Sequence, residues 1–138
     1  MSVVDKDVQL SLKGPDDIVK IEKVAVIGAG VMGSGIAAHV ANAGLPVTLL
    51  DIVSEGTQNR NIITETAVQK MLKPVRMGSP TPLMHRKNAR LISTGHIEDH
   101  LDALSDADLI IEVVLEKLEI KHNIFKKIDK VRKKNSIV

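Results

Sequence analysis

Val24-Ala25-Val26-Ile27-Gly28-Ala29-Gly30-Val31-Met32-Gly33 is an uncharged apolar run that enters a glycine turn, and the helix-like stretch Ser34 to Ala43 follows it. Four small or β-branched residues without a charge are the pattern of a parallel strand covered on both faces. Nine glycines in 138 residues can produce this spacing by chance, so the flanking strand and helix carry the argument. Each glycine then has a physical task. Gly28 permits the tight turn, Gly30 lets a pyrophosphate approach bare backbone, and Gly33 lets the helix pack close to the strand. Gly28, Ala29, Gly30, Val31, Met32 and Gly33 are therefore the candidate cradle of a dinucleotide.

The helix after the turn carries Ile36, Ala37, Val40 and Ala41 at spacings of three and four, and Gly44 stands where a left-handed cap would end it. Its N-terminus points at the turn, where unpaired N–H groups and the positive dipole end favour an anion. A second strand, Val47 to Leu50, runs into Asp51, about twenty residues beyond the glycines, where this fingerprint places an acid for a ribose diol. Hydrogen bonds to a carboxylate are worth about 1.5–3 kcal/mol, whereas a 2′-phosphate there would meet like charge. The pattern predicts NAD rather than NADP. The alternative, glycines making only a tight corner and Asp51 a solvated strand end, leaves the order of strand, glycines, helix and acid unexplained.

Downstream, Ile63, Ala67 and Met71 predict a helix within Ser54 to Leu72, and Pro74, Gly78, Pro80 and Pro82 predict a long irregular loop suited to substrate contact. Arg90 to Ser93 reads as a third strand, turned by Gly95 into a small helix through Ile97, Leu101 and Leu104. Asp108 to Val114 reads as a fourth strand. From Lys117 to Lys134, Ile120, Ile124, Ile128 and Val131 with Phe125 predict one buried helical stripe, and Ser136 to Val138 begin another strand. Alternating strands and helices imply an α/β fold, a Rossmann-like doubly wound parallel sheet with right-handed crossovers, incomplete at its C-terminal end.

Composition narrows the function. Forty-three per cent hydrophobic residues suffice for one core-bearing domain. One Phe with no Trp or Tyr leaves no stacking platform for single-stranded nucleic acid, and a net charge of +2 argues for neither a nucleic-acid nor a membrane partner. Without cysteine there is no thiol chemistry. Residues 1–20, broken by Gly14-Pro15, read as a tail or linker without a signal-peptide run, and residues 21–138 as the nucleotide-binding domain, in a cytoplasmic protein. The basic cluster from Lys126 to Lys134 reads as a solvated helix end. His96 and His100 can share a helical face but lack a third metal ligand; His39, His85 and His122 read as packing or surface residues. Glu112 and Glu116 follow the fourth strand at the carboxyl edge of the sheet, where such folds place ligand contacts.

Ile27 to Ala37, Leu50-Asp51 and above all Ala107-Asp108-Leu109-Ile110-Ile111-Glu112-Val113-Val114-Leu115-Glu116-Lys117-Leu118-Glu119-Ile120-Lys121 resemble the N-terminal domain of L-3-hydroxyacyl-CoA dehydrogenases. Ser93 to Asp99 resemble the bacterial branch, and the likeness covers roughly residues 21–138. The resemblance implies NAD as cofactor, Asp51 on the adenine ribose, Glu116 and Lys121 in contact with the cofactor, and Lys121 also near the CoA arm. It implies oxidation of (S)-3-hydroxyacyl-CoA to 3-oxoacyl-CoA in fatty-acid β-oxidation. Members of the family continue past the strand matching Ser136 to Val138 into a Ser-Asn-Thr-Ser segment, a catalytic His paired with a Glu, and a helical domain that dimerises. No residue of this sequence takes the role of that base, so the chain alone is expected to be inactive, with a second copy or a separate helical domain as its complementing partner. Two other readings remain at this point: a non-enzymatic nucleotide-binding or interaction module using the open sheet edge, and a dehydrogenase of another β-hydroxy acid. Lys70 and Lys73 are candidate CoA contacts.

Overall fold

Val24–Ile27 form β1, and all four side chains are buried, as an uncharged run in the middle of a sheet requires. The computed structural model describes residues 20–114 and 117–138. β2 (Val47–Asp51) and β4 (Leu109–Glu112) flank β1, and β3 (Ile92–His96) lies outside β2, giving the all-parallel order β3-β2-β1-β4. Alternate residues then point to opposite faces. Val24, Val26, Val47 and Leu49 pack with α1 (Val31–Asn42) and α2 (Ile62–Met71) on one side. Ala25, Ile27, Leu50 and Ile110 pack with Ile124 and Ile128 of α3 (Leu118–Val131) on the other. This is the expected doubly wound α/β sheet, and Gly44 ends α1 with φ +87°.

Several local expectations are corrected. The helix read over Ser54 to Leu72 is confined to Ile62–Met71. Ahead of it the Thr57 hydroxyl donates to the Ser54 and Asn59 carbonyls, and the Asn59 side chain accepts the Asn61 N–H, local bonds that compete with a helix. The third strand is Ile92–His96 rather than Arg90 to Ser93, because Arg86–Leu91 wind into a 3-10 helix first. Gly95 lies inside that strand, where a Cβ would come within 2.9 Å of Leu50 Cδ2 and His100 Nδ1. The element after it is a 3-10 helix, Leu101–Asp106. β4 stops at Glu112 rather than Val114. In α3 only Ile124 and Ile128 are buried, while Ile120 and Phe125 are 36% and 39% exposed.

The Pro-rich loop has no regular structure before Arg86, yet it is anchored. The Asn42 side chain donates to the Pro82 carbonyl and accepts from the Met84 N–H and the Asn88 amide. Leu83, 2% exposed, inserts into the α1 and α2 side of the core. At the opposite end of the sheet Asp108 accepts the N–H groups of Glu22 and Lys23 at 2.8 and 3.0 Å, and its second oxygen takes the Lys133 ammonium. One carboxylate thus joins the chain entering β1, the start of β4 and the segment after α3. Ile137 bonds both ways with β4, accepting the Ile110 N–H and donating to the Asp108 carbonyl, so a fifth parallel line begins there as expected. The leader expected over 1–20 falls, but for Lys20, outside the described residues. Among those described, no helix is long and apolar enough to cross a membrane.

Candidate functional site

The carboxyl edge of the sheet is built around the turn after β1. Gly28 has φ +113°, and its N–H donates to the Leu50 carbonyl at 2.7 Å. A Cβ at Gly28 would lie 2.6 Å from the Val113 carbonyl oxygen, so β4's exit leaves no room for a side chain. At Gly33 a Cβ would fall 1.7 Å from the Gly28 carbonyl oxygen; α1 sits on the strand at backbone contact. Gly30 differs from both. It is the extended N-cap of α1, and beyond its chain neighbours none of the described residues comes within 4 Å of where its Cβ would stand. That open space faces a helix whose first internal bond is Ser34 N–H to Gly30 carbonyl, 2.9 Å, so the N–H groups of Val31, Met32 and Gly33 precede the ladder and lack helical acceptors. A bare approach beside such donors fits a diphosphate. The Val31 and Met32 side chains are exposed, at 97% and 69%.

Asp51 closes the site from β2. Its Oδ2 accepts the Ala29 N–H at 2.6 Å and its Oδ1 accepts the Ile52 N–H at 2.6 Å, so the acid is tied to the glycine turn itself. Sequence reasoning placed the carboxylate correctly in the chain but missed these two bonds, which depend on β2 pairing with β1. A carboxylate offers about four lone-pair positions; two remain for hydroxyl donors such as a ribose diol.

On the other side of β1, Glu112 registers with Ile27. Its Oε1 accepts the Val114 N–H at 2.7 Å, and its Oε2 lies 4.0 Å from Lys121 Nζ, one turn into α3. Glu116 lies outside the described residues. Between α1 and α2 a cavity of about 690 Å³ opens beside Gly30 and Ser34, walled by Ile63, Ala67 and Met71 of α2 and by Val75 and Pro82 of the long loop. Lys70 lines it; Lys73 does not.

The histidines fall elsewhere. His96 ends β3 and is 3% exposed, so it shares no helical face with His100. The two rings pack edge to face at 4.4 Å, and His100 Nδ1 accepts the His96 N–H at 3.0 Å. Asp99 faces His96, and Arg60 pairs with Glu98 and Asp99. His85 caps the 3-10 helix at Arg86 by accepting the Lys87 N–H, and His39 and His122 are exposed. Among the described residues no three such side chains gather as metal ligands.

The family model described as 3-hydroxyacyl-CoA dehydrogenase, NAD binding domain, matches residues 23–138. A Deinococcus radiodurans protein named "Probable 3-hydroxyacyl-CoA dehydrogenase" is 47% identical over 120 residues, covering 87% of this chain and 34% of its own length. A Bacillus subtilis protein of the same name is 45% identical over 132 residues, covering 86% of this chain and 16% of its own. The chain thus spans about a third or less of these curated relatives. The crystal structure of (S)-3-hydroxybutyryl-CoA dehydrogenase from Ralstonia eutropha superposes with a TM-score of 0.65 at 27% identity, over 86% of this chain and 40% of that one.

Proposed function

The chain belongs to the 3-hydroxyacyl-CoA dehydrogenase family, within its NAD-binding domain, and we propose that in the whole protein it holds NAD while (S)-3-hydroxyacyl-CoA is oxidised to 3-oxoacyl-CoA in fatty-acid β-oxidation. The observation that carries this is the open face of Gly30 at the start of α1, with Asp51 bonded to the same turn. NAD, when bound, supplies the hydride acceptor.

The main-chain N–H groups of Val31, Met32 and Gly33 hold the diphosphate beside the bare Gly30, while Gly28 and Ala29 shape the turn, their own N–H groups being given to Leu50 and Asp51. Asp51 accepts the hydroxyls of the adenine ribose and repels a 2′-phosphate. Lys121, with Glu116, contacts the cofactor from the β4 side. The cavity between α1 and α2 receives part of the acyl-CoA, Lys70 being its cation toward a phosphate. Residues 21–138 form the NAD-binding domain, and residues 1–20 lead into it. The resemblance assigns removal of the 3-hydroxyl proton to an imidazole that no histidine of this chain is matched to. The 138-residue chain is therefore expected to bind NAD but not to reduce acetoacetyl-CoA with NADH; measurable reduction by the pure chain would overturn that part.

Calorimetric titration with NAD and NADP tests the rest. The wild type is expected to prefer NAD by about tenfold or more, the worth of hydrogen bonds to a charged group. Asp51→Asn, which keeps an acceptor for Ala29 but loses the charge, is expected to narrow that preference. Equal affinity of the wild type for both dinucleotides would remove Asp51 from its role.

A further inference from the structure

Glu112 is a carboxylate in a core position. On β4 it shares a face with Ile110, and Ile110 is buried against Ile124 and Ile128 of α3. The Glu112 side chain is only 5% exposed, and acids rarely go so deep without a partner. One partner is the Val114 N–H, 2.7 Å from Oε1. That bond needs an acceptor but no charge. What calls for the charge is on the other oxygen: Lys121 Nζ stands 4.0 Å from Oε2, too far for a hydrogen bond but close enough for attraction in a poorly hydrated place. Lys121 is 33% exposed on a flexible four-carbon stem, and a lysine left to itself turns its head to water.

We propose that Glu112 is a positioning residue for cofactor binding: its negative charge holds the Lys121 ammonium over the exit of β4, while its other oxygen fixes that exit against Gly28. The second half follows from the same segment, since Val113 N–H donates to the Ile27 carbonyl and the Val113 carbonyl fills the space a Gly28 Cβ would need. One buried side chain thus sets both the lysine and the wall of the glycine turn. This rests on the reading of Lys121 as a cofactor contact.

Two substitutions separate charge from shape. Glu112→Gln keeps the length and the acceptor for Val114 but not the charge; Glu112→Asp keeps the charge at the expense of reach. NAD affinity, measured by calorimetry on the 138-residue chain, is expected to fall in the order wild type, E112D, E112Q, with the glutamine variant weaker by about fivefold. A purely structural role exchanges the two variants, leaving E112Q close to the wild type and E112D weakest, since glutamine keeps the length and the acceptor for Val114. Lys121→Met is expected to weaken NAD on its own, and E112Q added to it is expected to change affinity no further, because the partner is gone. E112Q at wild-type affinity, or its full effect persisting in the K121M background, overturns the proposal while leaving Lys121 in place. K121M without effect removes Lys121 as a contact, and the proposal with it.

Discussion

Gly30 has φ −69° and ψ −169°, torsions any residue adopts, and apart from its chain neighbours no atom of the described residues within 4 Å of its missing Cβ. On the proposed reading its glycine identity serves the diphosphate rather than the fold. Gly30→Val is expected to leave the melting temperature within about 3 °C of wild type and to lower NAD affinity by about tenfold or more, the two read by calorimetry on one preparation. Loss of stability in step with affinity would show that the space at Gly30 serves folding. Such positions are legible in sequence because a fixed spacing encodes them. Asp51 was legible for the same reason, but its bonds to Ala29 and Ile52 were not, since a strand-end carboxylate reads alike whether it faces a ligand or a neighbouring turn. Glu112 and Lys121 are nine residues apart in the chain and meet only because α3 folds back over β4.

Within α1 the two inner glycines predict opposite outcomes. Gly33 presses on the Gly28 carbonyl, so Gly33→Ala must lift the helix from the strand, whereas Gly35 has open space where its Cβ would go. Gly33→Ala is expected to lower stability by more than the helix propensity gained, and Gly35→Ala to raise it by about 0.5–1 kcal/mol through reduced backbone entropy. Urea unfolding of the pair checks this, and a stabilised G33A would contradict the close packing. Elements with strong periodicity were readable: β1, β2 and the centre of α3 lie where the pattern put them, and α1 is present but starts at Val31, three residues before the stretch read from Ser34. The misread ones share a cause. β3 starts two residues late because Arg86–Leu91 close a 3-10 helix, and its five residues include Gly95, a residue propensity assigns to turns. The anchoring of the Pro-rich loop by Asn42 spans some forty residues of sequence and leaves no local trace.

Across the whole molecule the two ends of the sheet have different work. The carboxyl edge carries the candidate site; the opposite edge is fastened by Asp108, which lies in the block that carries the family resemblance but had no role read for it, and which joins Glu22, Lys23 and Lys133. The Lys133 ammonium first, and then the Glu22 N–H, hold the Asp108 carboxyl down to about 2 from an ordinary 3.8, against the opposing effect of burial. In the unfolded chain that carboxyl regains its ordinary affinity for protons. Above pH 3.8 both states carry the carboxylate and its contribution is fully present. As pH falls from 3.8 toward 2 the unfolded chain binds the proton first, and this part of the stability is progressively lost. Asp108→Asn is therefore expected to melt at a lower temperature at neutral pH and to lose less on acidification through that interval, so that the two melting curves converge toward pH 2. Lys133→Met, which removes the largest cause, is expected to flatten the same interval while the Glu22 and Lys23 bonds remain. Melting temperatures of the three proteins from pH 7 down to 2 decide it: an acid limb for D108N parallel to wild type would mean that other carboxylates govern acid unfolding and that Asp108 ties the sheet without titrating against it.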